Sequence, residues 1–541
     1  MKTFKKIMAL VIAMVMVLGM SIPTMADPEA KSADLTGHTY TAYQIFSGTQ
    51  ATDETEGKLG NIAWGSAITD NGAALITELK KISALSTLDN DASAKTVAEA
   101  IAALNYADYS DDAKAIAKAV DQALASTATG TSVAADGSTT LDAGYYLVKD
   151  TTTLSGTDTV KNLSLLQMTK KGNFEIRNKT DIPEVEKKVK DKNDSTPVTS
   201  DWQDSADADG GDDLEYKLTG TLPTNYADYD WYRYVFTDTA SKGIVIDSSS
   251  VKVHLDDENG QDITSNFDIA LADYAGSNTK YTGGKVLTVT AKAGNNNKYL
   301  KEISAITATS KIIVTYTAKL DKDNAIIGKE GNPNEVDLTY SNNPNKGGEG
   351  ETGKTPVDVN IVFTYKLVVD KIDGTSKNAL NGAGFTLYKK NGNSNAADKY
   401  EAVGTEVKGD DMTQFVWNRL DDGDYKLVET TTPPGYNTLS PIEFTVTADH
   451  EVTSDNPALK SLSVTDGKGL TASLDGGTIK KQDDSDHTAV SGEVFGEVVN
   501  NQGNTLPETG GIGTTIFYIL GAILVLGAGI VLVTRRRMSA N

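Results

Sequence analysis

Cysteine is absent from all 541 residues, so no disulfide or thiolate chemistry is available and any covalent staple must come from lysine, asparagine or the acids. Histidine is scarce: His38, His254, His450 and His487 are scattered without metal-ligand spacing, and neither metal nor cofactor is expected. Basic residues number 51 against 74 acidic ones, a formal charge of -23. So acidic a surface argues against nucleic acid as a partner. No nucleotide-binding loop or catalytic constellation stands out, which argues against a turnover enzyme.

Two apolar runs frame the chain. At the start, Lys2, Lys5 and Lys6 precede Ile7 to Met20 and then Thr24-Met25-Ala26, the layout of a secretory signal peptide cut between Ala26 and Asp27. The run is short against the roughly 20 residues of a spanning helix, so residues 1–26 are expected to be removed on export. Near the other end, Leu506-Pro507-Glu508-Thr509-Gly510 is followed by an apolar run from Ile512 to Val533 and by Arg535-Arg536-Arg537. That run can cross a bilayer, with the arginines on the cytoplasmic side.

What lies between is long enough for three domains of roughly 100 to 200 residues each. Residues 27–178 read as a β domain with a helical insertion. Strand-like Thr39 to Phe46 and Gly144 to Val148 flank Ala-rich segments, among which Ala98 to Leu104 and Asp112 to Leu124 suit helices. Residues 179–364 alternate β-branched and aromatic with polar residues, as in Ile244-Val245-Ile246 and Lys311 to Tyr316, the pattern of a sandwich. Asn342 to Thr355 is expected to be a long exposed hairpin loop. Residues 365–504 carry further strands near Lys366 to Lys371, Gly384 to Tyr388, Tyr425 to Glu429 and Ile442 to Val446. The expected fold class is all-β: tandem immunoglobulin-like sandwiches, a signal peptide, and residues 505–541 as an anchor.

The pentapeptide, apolar helix and arginines in that order resemble the cell-wall sorting signal (LPXTG) of Gram-positive surface proteins. The resemblance implies that a sortase attacks the Thr509–Gly510 bond, keeps Thr509 as the acyl group and discards residues 510–541. The helix would hold the protein at the membrane until the cut.

Tyr425-Lys426-Leu427-Val428-Glu429-Thr430-Thr431-Thr432-Pro433-Pro434-Gly435-Tyr436 resembles the E-box of Gram-positive pilins, and its surroundings resemble collagen-adhesin B-type domains. That likeness implies a spontaneous isopeptide bond between Lys371 and Asn500, assisted by Glu429. Burial would lower the pKa of Lys371 from its ordinary value near 10.4 and make it a nucleophile. Glu429 would act as a neutral acid that hydrogen-bonds the Asn500 amide and shuttles protons while ammonia leaves. The second domain is similar to the fimbrial isopeptide-forming D2 type through Pro183 to Val189, Val235 to Thr239 and Asn332 to Leu338. Mapping that pattern gives Lys187 as nucleophile, Asp238 as acid and Asn334 as amide. Strand alternation favours Lys187 over Lys188, because Val185, Lys187 and Val189 share a face, and the choice between the two stays open. Bonds of this kind closing loops beyond 100 residues add roughly 4 to 5 kcal/mol in a disputed chain-entropy model.

In the first domain Lys149 stands where the E-box glutamate would be, so no isopeptide bond is expected there. The family's shaft subunits also use an exposed lysine in a Tyr-Pro-Lys-Asn motif to attack the Thr acyl group of the next subunit. Here Lys179 holds the matching location, although Arg177-Asn178 replaces Tyr-Pro, and Lys170 or Lys171 are alternatives. The resemblance as a whole implies the shaft subunit of a sortase-assembled pilus. Its expected partners are pilus-class and housekeeping sortases, other copies of the chain, ancillary pilins, peptidoglycan and a host ligand. A monomeric wall-anchored adhesin or ancillary pilin is the alternative.

Overall fold

The structure, a computed structural model, describes residues 31–32, 38–50, 59–106, 110–134, 138–153, 156–157, 159–161, 163–168, 171–173, 181–344, 351–503 and 512–538. The signal-peptide junction Ala26/Asp27, Lys170, Lys179 and the pentapeptide Leu506 to Gly510 lie outside the described residues.

The first unit is a sheet ordered β2-β1-β4-β5, made of β1 (Thr39–Gln50), β2 (Leu59–Trp64), β4 (Gly144–Asp150) and β5 (Leu163–Met168), with β3 (Thr131–Ala134) also pairing with β1. Helices α1 (Ala73–Leu79), α2 (Ala94–Ala103) and α3 (Asp111–Ala123) form the insertion. Ser93 and Ser110 cap α2 and α3 by accepting from the Thr96 and Ala113 amides, satisfying donors that a helix start leaves unpaired. Val97 and Ile101 of α2, with Ile116 and Val120 of α3, pack over Ile45, Phe46 and Leu147 of the sheet.

Two sheets make the second unit. One is ordered β6-β8-β13-β10, from β6 (Val185–Val189), β8 (Asp213–Gly220), β13 (Ile312–Leu320) and β10 (Ile244–Leu255), with Gln261–Asp262 at its edge. The other runs β7-β16-β14-β9-β12-β11, from β7 (Ser205–Asp207), β16 (Asp358–Phe363), β14 (Asn332–Ser341), β9 (Tyr234–Ala240), β12 (Lys285–Ala291) and β11 (Phe267–Asp273), with β15 (Thr352–Lys354) also on β14. Inward-facing residues of both, including Tyr216, Leu218, Val314, Phe236, Val289 and Leu338, close one core, as period-two alternation requires. Val160 also enters this core. β14 and β15 pair, and Asn342 and Thr355 at the ends of the loop expected to be exposed are buried, while residues 345–350 lie outside the described residues. The burial comes from residues 159–161, which cover these ends: the Lys161 amide donates to the Asn342 carbonyl at 2.8 Å.

A third unit follows one residue after β16. Its sheets are ordered β19-β17-β24-β23 and β18-β20-β21-β22, with Tyr400–Ala402 and Val407–Lys408 flanking β18. The strands are β17 (Tyr365–Asp373), β18 (Gly384–Lys390), β19 (Gln414–Leu420), β20 (Gly423–Thr431), β21 (Ile442–His450), β22 (Leu459–Thr465), β23 (Leu470–Lys480) and β24 (Asp486–Asn500). The first and last strands, β17 and β24, are parallel neighbours, with Lys371 opposite Val498 and Asp373 opposite Asn500. Gly328 and Gly492 meet where the second unit touches β24. Both have positive φ, and a Cβ on Gly492 would fall 2.4 Å from the Gly328 Cα, so a side chain there would push the units apart. The chain ends in α4 (Ile512–Met538), which contains an apolar stretch Ile516–Arg536 of mean hydropathy 2.8, long enough to cross a membrane.

Candidate functional site

In the second unit, β6 turns Lys187 inward between the sheets while Lys188 stays at the rim, where it pairs with Asp204 at 2.6 Å. Across the core, β9 brings Asp238 and the adjacent β14 brings Asn334, and all three side chains are fully buried. The Lys187 ammonium bonds Asp238 Oδ2 and donates to the Tyr316 hydroxyl at 2.8 Å. That hydroxyl donates to Asp238 Oδ2 at 2.8 Å and accepts from Asn334 Nδ2 at 2.8 Å. Lys187 Nζ also lies 4.8 Å from the centre of the Tyr216 ring, so aromatic faces replace part of its lost hydration. Burial pulls Lys187 below the usual lysine range, with Asp238 pulling the other way. Asp238 Oδ1 and Asn334 Oδ1 have no hydrogen-bond partner, a costly state for buried oxygens.

The third unit assembles Lys371 from β17, Asn500 from β24 and Glu429 from β20 of the facing sheet, all buried. Asn500 Nδ2 donates directly to Glu429 Oε1 at 2.7 Å. The other carboxylate oxygen accepts from the Leu439 amide at 2.7 Å and from Thr432 Oγ1 at 3.3 Å. Lys371 Nζ donates to the Val498 carbonyl at 3.1 Å and to the Ile372 carbonyl at 3.4 Å. Burial lowers it to about 8, against the opposing pull of Glu429 and Asp373, so an appreciable fraction is the neutral amine near neutral pH. Asn500 Oδ1 is again without a partner. In both pockets an amine whose charge is disfavoured faces a primary amide held by its NH2, next to a carboxyl and away from water. Those are the groups a transamidation needs.

The first unit has no such set at its equivalent strand: Lys149 pairs with Asp121 at 2.5 Å at the surface. Lys171, an alternative acceptor lysine, is exposed and bonds Asp142 at 2.9 Å.

Sequence reasoning missed two features. Tyr316 sits in an alternating strand that was legible, but its meeting with Lys187 depends on strand order. The second is the joint between the second and third units. There the Lys389 ammonium lies 2.5 Å from Asp209 and 2.9 Å from Asp421, carboxylates of different units. His450 bonds Ser205 at 2.7 Å and lies 3.6 and 3.7 Å from Asp191 and Asp207. Burial lowers His450, but those two carboxylates outweigh it and raise it to about 10. Asp191, Asp207 and His450, and separately Asp194, Asp209 and Asp212, bring ligand-type atoms within 4.8 Å of one another. Protein groups already partner them, as Lys389 does Asp209.

Residues 365–458 match the SpaA prealbumin-like fold domain, and residues 498–539 match the LPXTG cell wall anchor motif. The chain is therefore a cell-wall-anchored surface protein with a SpaA-type domain. It is 27% identical over 344 residues to the trypsin-resistant surface T6 protein of Streptococcus pyogenes serotype M6, covering 53% of this chain and 61% of that protein's length. Among solved structures, the T6 backbone pilin of S. pyogenes aligns at 18% identity over 87% of this chain and 98% of its own, with a TM-score of 0.47. The full-length major pilin SpaD of Corynebacterium diphtheriae aligns at 16% identity over 90% and 95%, with a TM-score of 0.42. The chain thus spans about three fifths of the length of the curated relative it matches.

Proposed function

We propose that this chain is the shaft subunit of a covalent pilus. Sortase joins Thr509 of one copy to Lys179 of the next, and Lys187–Asn334 and Lys371–Asn500 isopeptide bonds harden each subunit from within. The observation that carries this reading is the repeated gathering of a buried lysine, a carboxyl and an asparagine in two successive sandwiches ahead of a wall anchor. A pilus-class sortase builds the polymer, and a housekeeping sortase transfers its base to peptidoglycan. Ancillary pilins and any host ligand attach to this shaft. The domain divisions 27–178, 179–364 and 365–504 follow from the same reading.

Surface extracts on denaturing gels test it. Wild type should give a high-mass ladder that collapses to monomer in Lys179→Ala. A single band from wild type refutes polymerisation and favours a monomeric adhesin. A ladder that survives Lys179→Ala moves the acceptor role to Lys170 or Lys171.

A further inference from the structure

Tyr316 contacts every member of the second-domain set: its hydroxyl is 2.8 Å from Lys187 Nζ, from Asp238 Oδ2 and from Asn334 Nδ2. The third domain has no such bridge, because Glu429 reaches the Asn500 amide directly at 2.7 Å. Asp238 is one methylene shorter than a glutamate, and its hydrogen bonds run to Lys187 and Tyr316, not to Asn334. The Tyr316 ring is fixed by stacking on Tyr216, with centroids 5.1 Å apart and planes at 14°. These two residues face each other in the β8–β13 register.

We propose that Tyr316 is a catalytic residue of the Lys187–Asn334 crosslink, its hydroxyl supplying the connection between carboxyl and amide that aspartate is too short to make. The proposal rests on the isopeptide reading of this pocket. Burial and the neighbouring carboxylate push the Tyr316 phenol well above its usual range, so it stays protonated and can both donate and accept. In the reaction, Lys187 yields a proton to Asp238 and its neutral Nζ attacks Cγ of Asn334. The Nζ–Cγ bond forms and the Cγ–Nδ2 bond breaks. The proton that Nδ2 needs in order to leave as ammonia travels from Asp238 through the Tyr316 hydroxyl, which donates one proton as it receives another. The second proton, which Nζ sheds on becoming an amide nitrogen, passes to the freed Asp238 carboxylate and on to the departing ammonia. One ammonium and one primary amide become one secondary amide and one ammonium ion, so atoms and charge balance without an outside reagent.

The test is intact mass and linked-peptide mapping on the full exported chain, read as the fraction of molecules joined between Lys187 and Asn334. The Lys371–Asn500 bond in the same molecule serves as internal reference. Wild type should be fully joined and Asp238→Ala unjoined. Tyr316→Phe, which keeps the ring and its stacking, should be joined at least tenfold more slowly. Adding Asp238→Glu to Tyr316→Phe should restore joining, because the longer acid enters the space left by the hydroxyl and reaches Asn334 as Glu429 reaches Asn500. A purely structural role for the hydroxyl predicts no such rescue. Tyr316→Phe joined as fast as wild type overturns the proposal, and so does a double variant as slow as the single one. A wild type that keeps the second-domain ammonia and yields no linked Lys187–Asn334 peptide, with the third-domain bond intact, would instead remove the crosslink reading itself.

Discussion

Consider Lys371→Met beside Glu429→Ala. Both should keep the ammonia that the third domain of wild type loses, read by intact mass against each protein's own sequence mass, since each removes a reactant or its acid. Their stabilities should differ in a way the structure sets. Joining Lys371 to Asn500 closes a loop of about 130 residues, which the chain-entropy relation values at roughly 5 kcal/mol. Both variants lose that term. Methionine then fills much of the lysine volume without burying an amine, so Lys371→Met loses little else. Glu429→Ala also strands Asn500 Nδ2 and the Leu439 amide, whose acceptors at 2.7 Å are gone, and each buried orphan costs about 1–3 kcal/mol. It should therefore be the less stable by about 2–6 kcal/mol. Scanning calorimetry reads this directly: for a domain of this size, about 5 kcal/mol lowers Tm by roughly 15–25 °C. A Lys371→Met protein with the ammonia kept but a Tm within a few degrees of wild type would show that the crosslink does not stabilise the domain by chain entropy. A wild type that shows no ammonia deficit in the third domain against its sequence mass would refute the bond.

The joint between the second and third units should respond to pH. Burial, then neighbouring carboxylates, raises Asp212 to about 6 and Asp422 to about 7. A carboxyl whose folded pKa lies above its unfolded value stabilises the fold below the unfolded value, near 4, and that contribution is lost as pH rises through about 6 to 7. His450 acts in the same direction: its contribution is complete below its ordinary value near 6.5 and is lost as pH rises from there through about 10. Calorimetry should find the joint weaker at pH 8 than at pH 5 by on the order of 2 kcal/mol; a flat or opposite profile refutes the assignment. Lys389→Met removes the cation between Asp209 and Asp421 and should cost about 3 kcal/mol, seen as separation of the two units' melting transitions. Unchanged cooperativity would mean the ion pairs do not couple them.

Much of the inner facing of side chains was legible because it is local. Val185, Lys187 and Val189 alternate within one strand, and the buried state of Lys187 and Val189 follows from that period alone. Ala-rich Ala98 to Leu104 and Asp112 to Leu124 likewise announced α2 and α3 through composition, although α2 begins earlier, at Ala94. What stayed hidden depends on pairing between distant segments. Tyr316 meets Lys187 because β8 lies between β6 and β13, bringing residues 129 positions apart onto one surface. The buried hairpin root at Asn342 needed residues 159–161 to return across the second unit. The Lys389 joint needed two units to dock, which no periodicity within either could report.

The two proposed crosslinks would not shield their domains equally, and strand direction decides how. In the third unit β17 and β24 are parallel, so a pulling force enters at Tyr365, passes along β17 to Lys371 and crosses to Asn500, the last residue of the last strand. Nearly the whole domain lies off that path, and no loop can be drawn out. In the second unit the path leaves Lys187 for Asn334, yet the chain continues through the β14–β15–β16 segment to Thr364. Asn334 pairs antiparallel with Asn360, so force on Asn334 and Thr364 acts at one end of a hairpin and opens its bonds one after another. About 30 residues can then extend, on the order of 100 Å at about 3.5 Å each. Without the Lys187–Asn334 bond about 180 residues would unravel, roughly 600 Å. Single-molecule pulling on the wild-type chain should thus give one short step from the second unit. Lys187→Ala should convert it to a long one. A wild-type step of several hundred ångströms would refute the force path, because a closed Lys187–Asn334 bond leaves no such length to release.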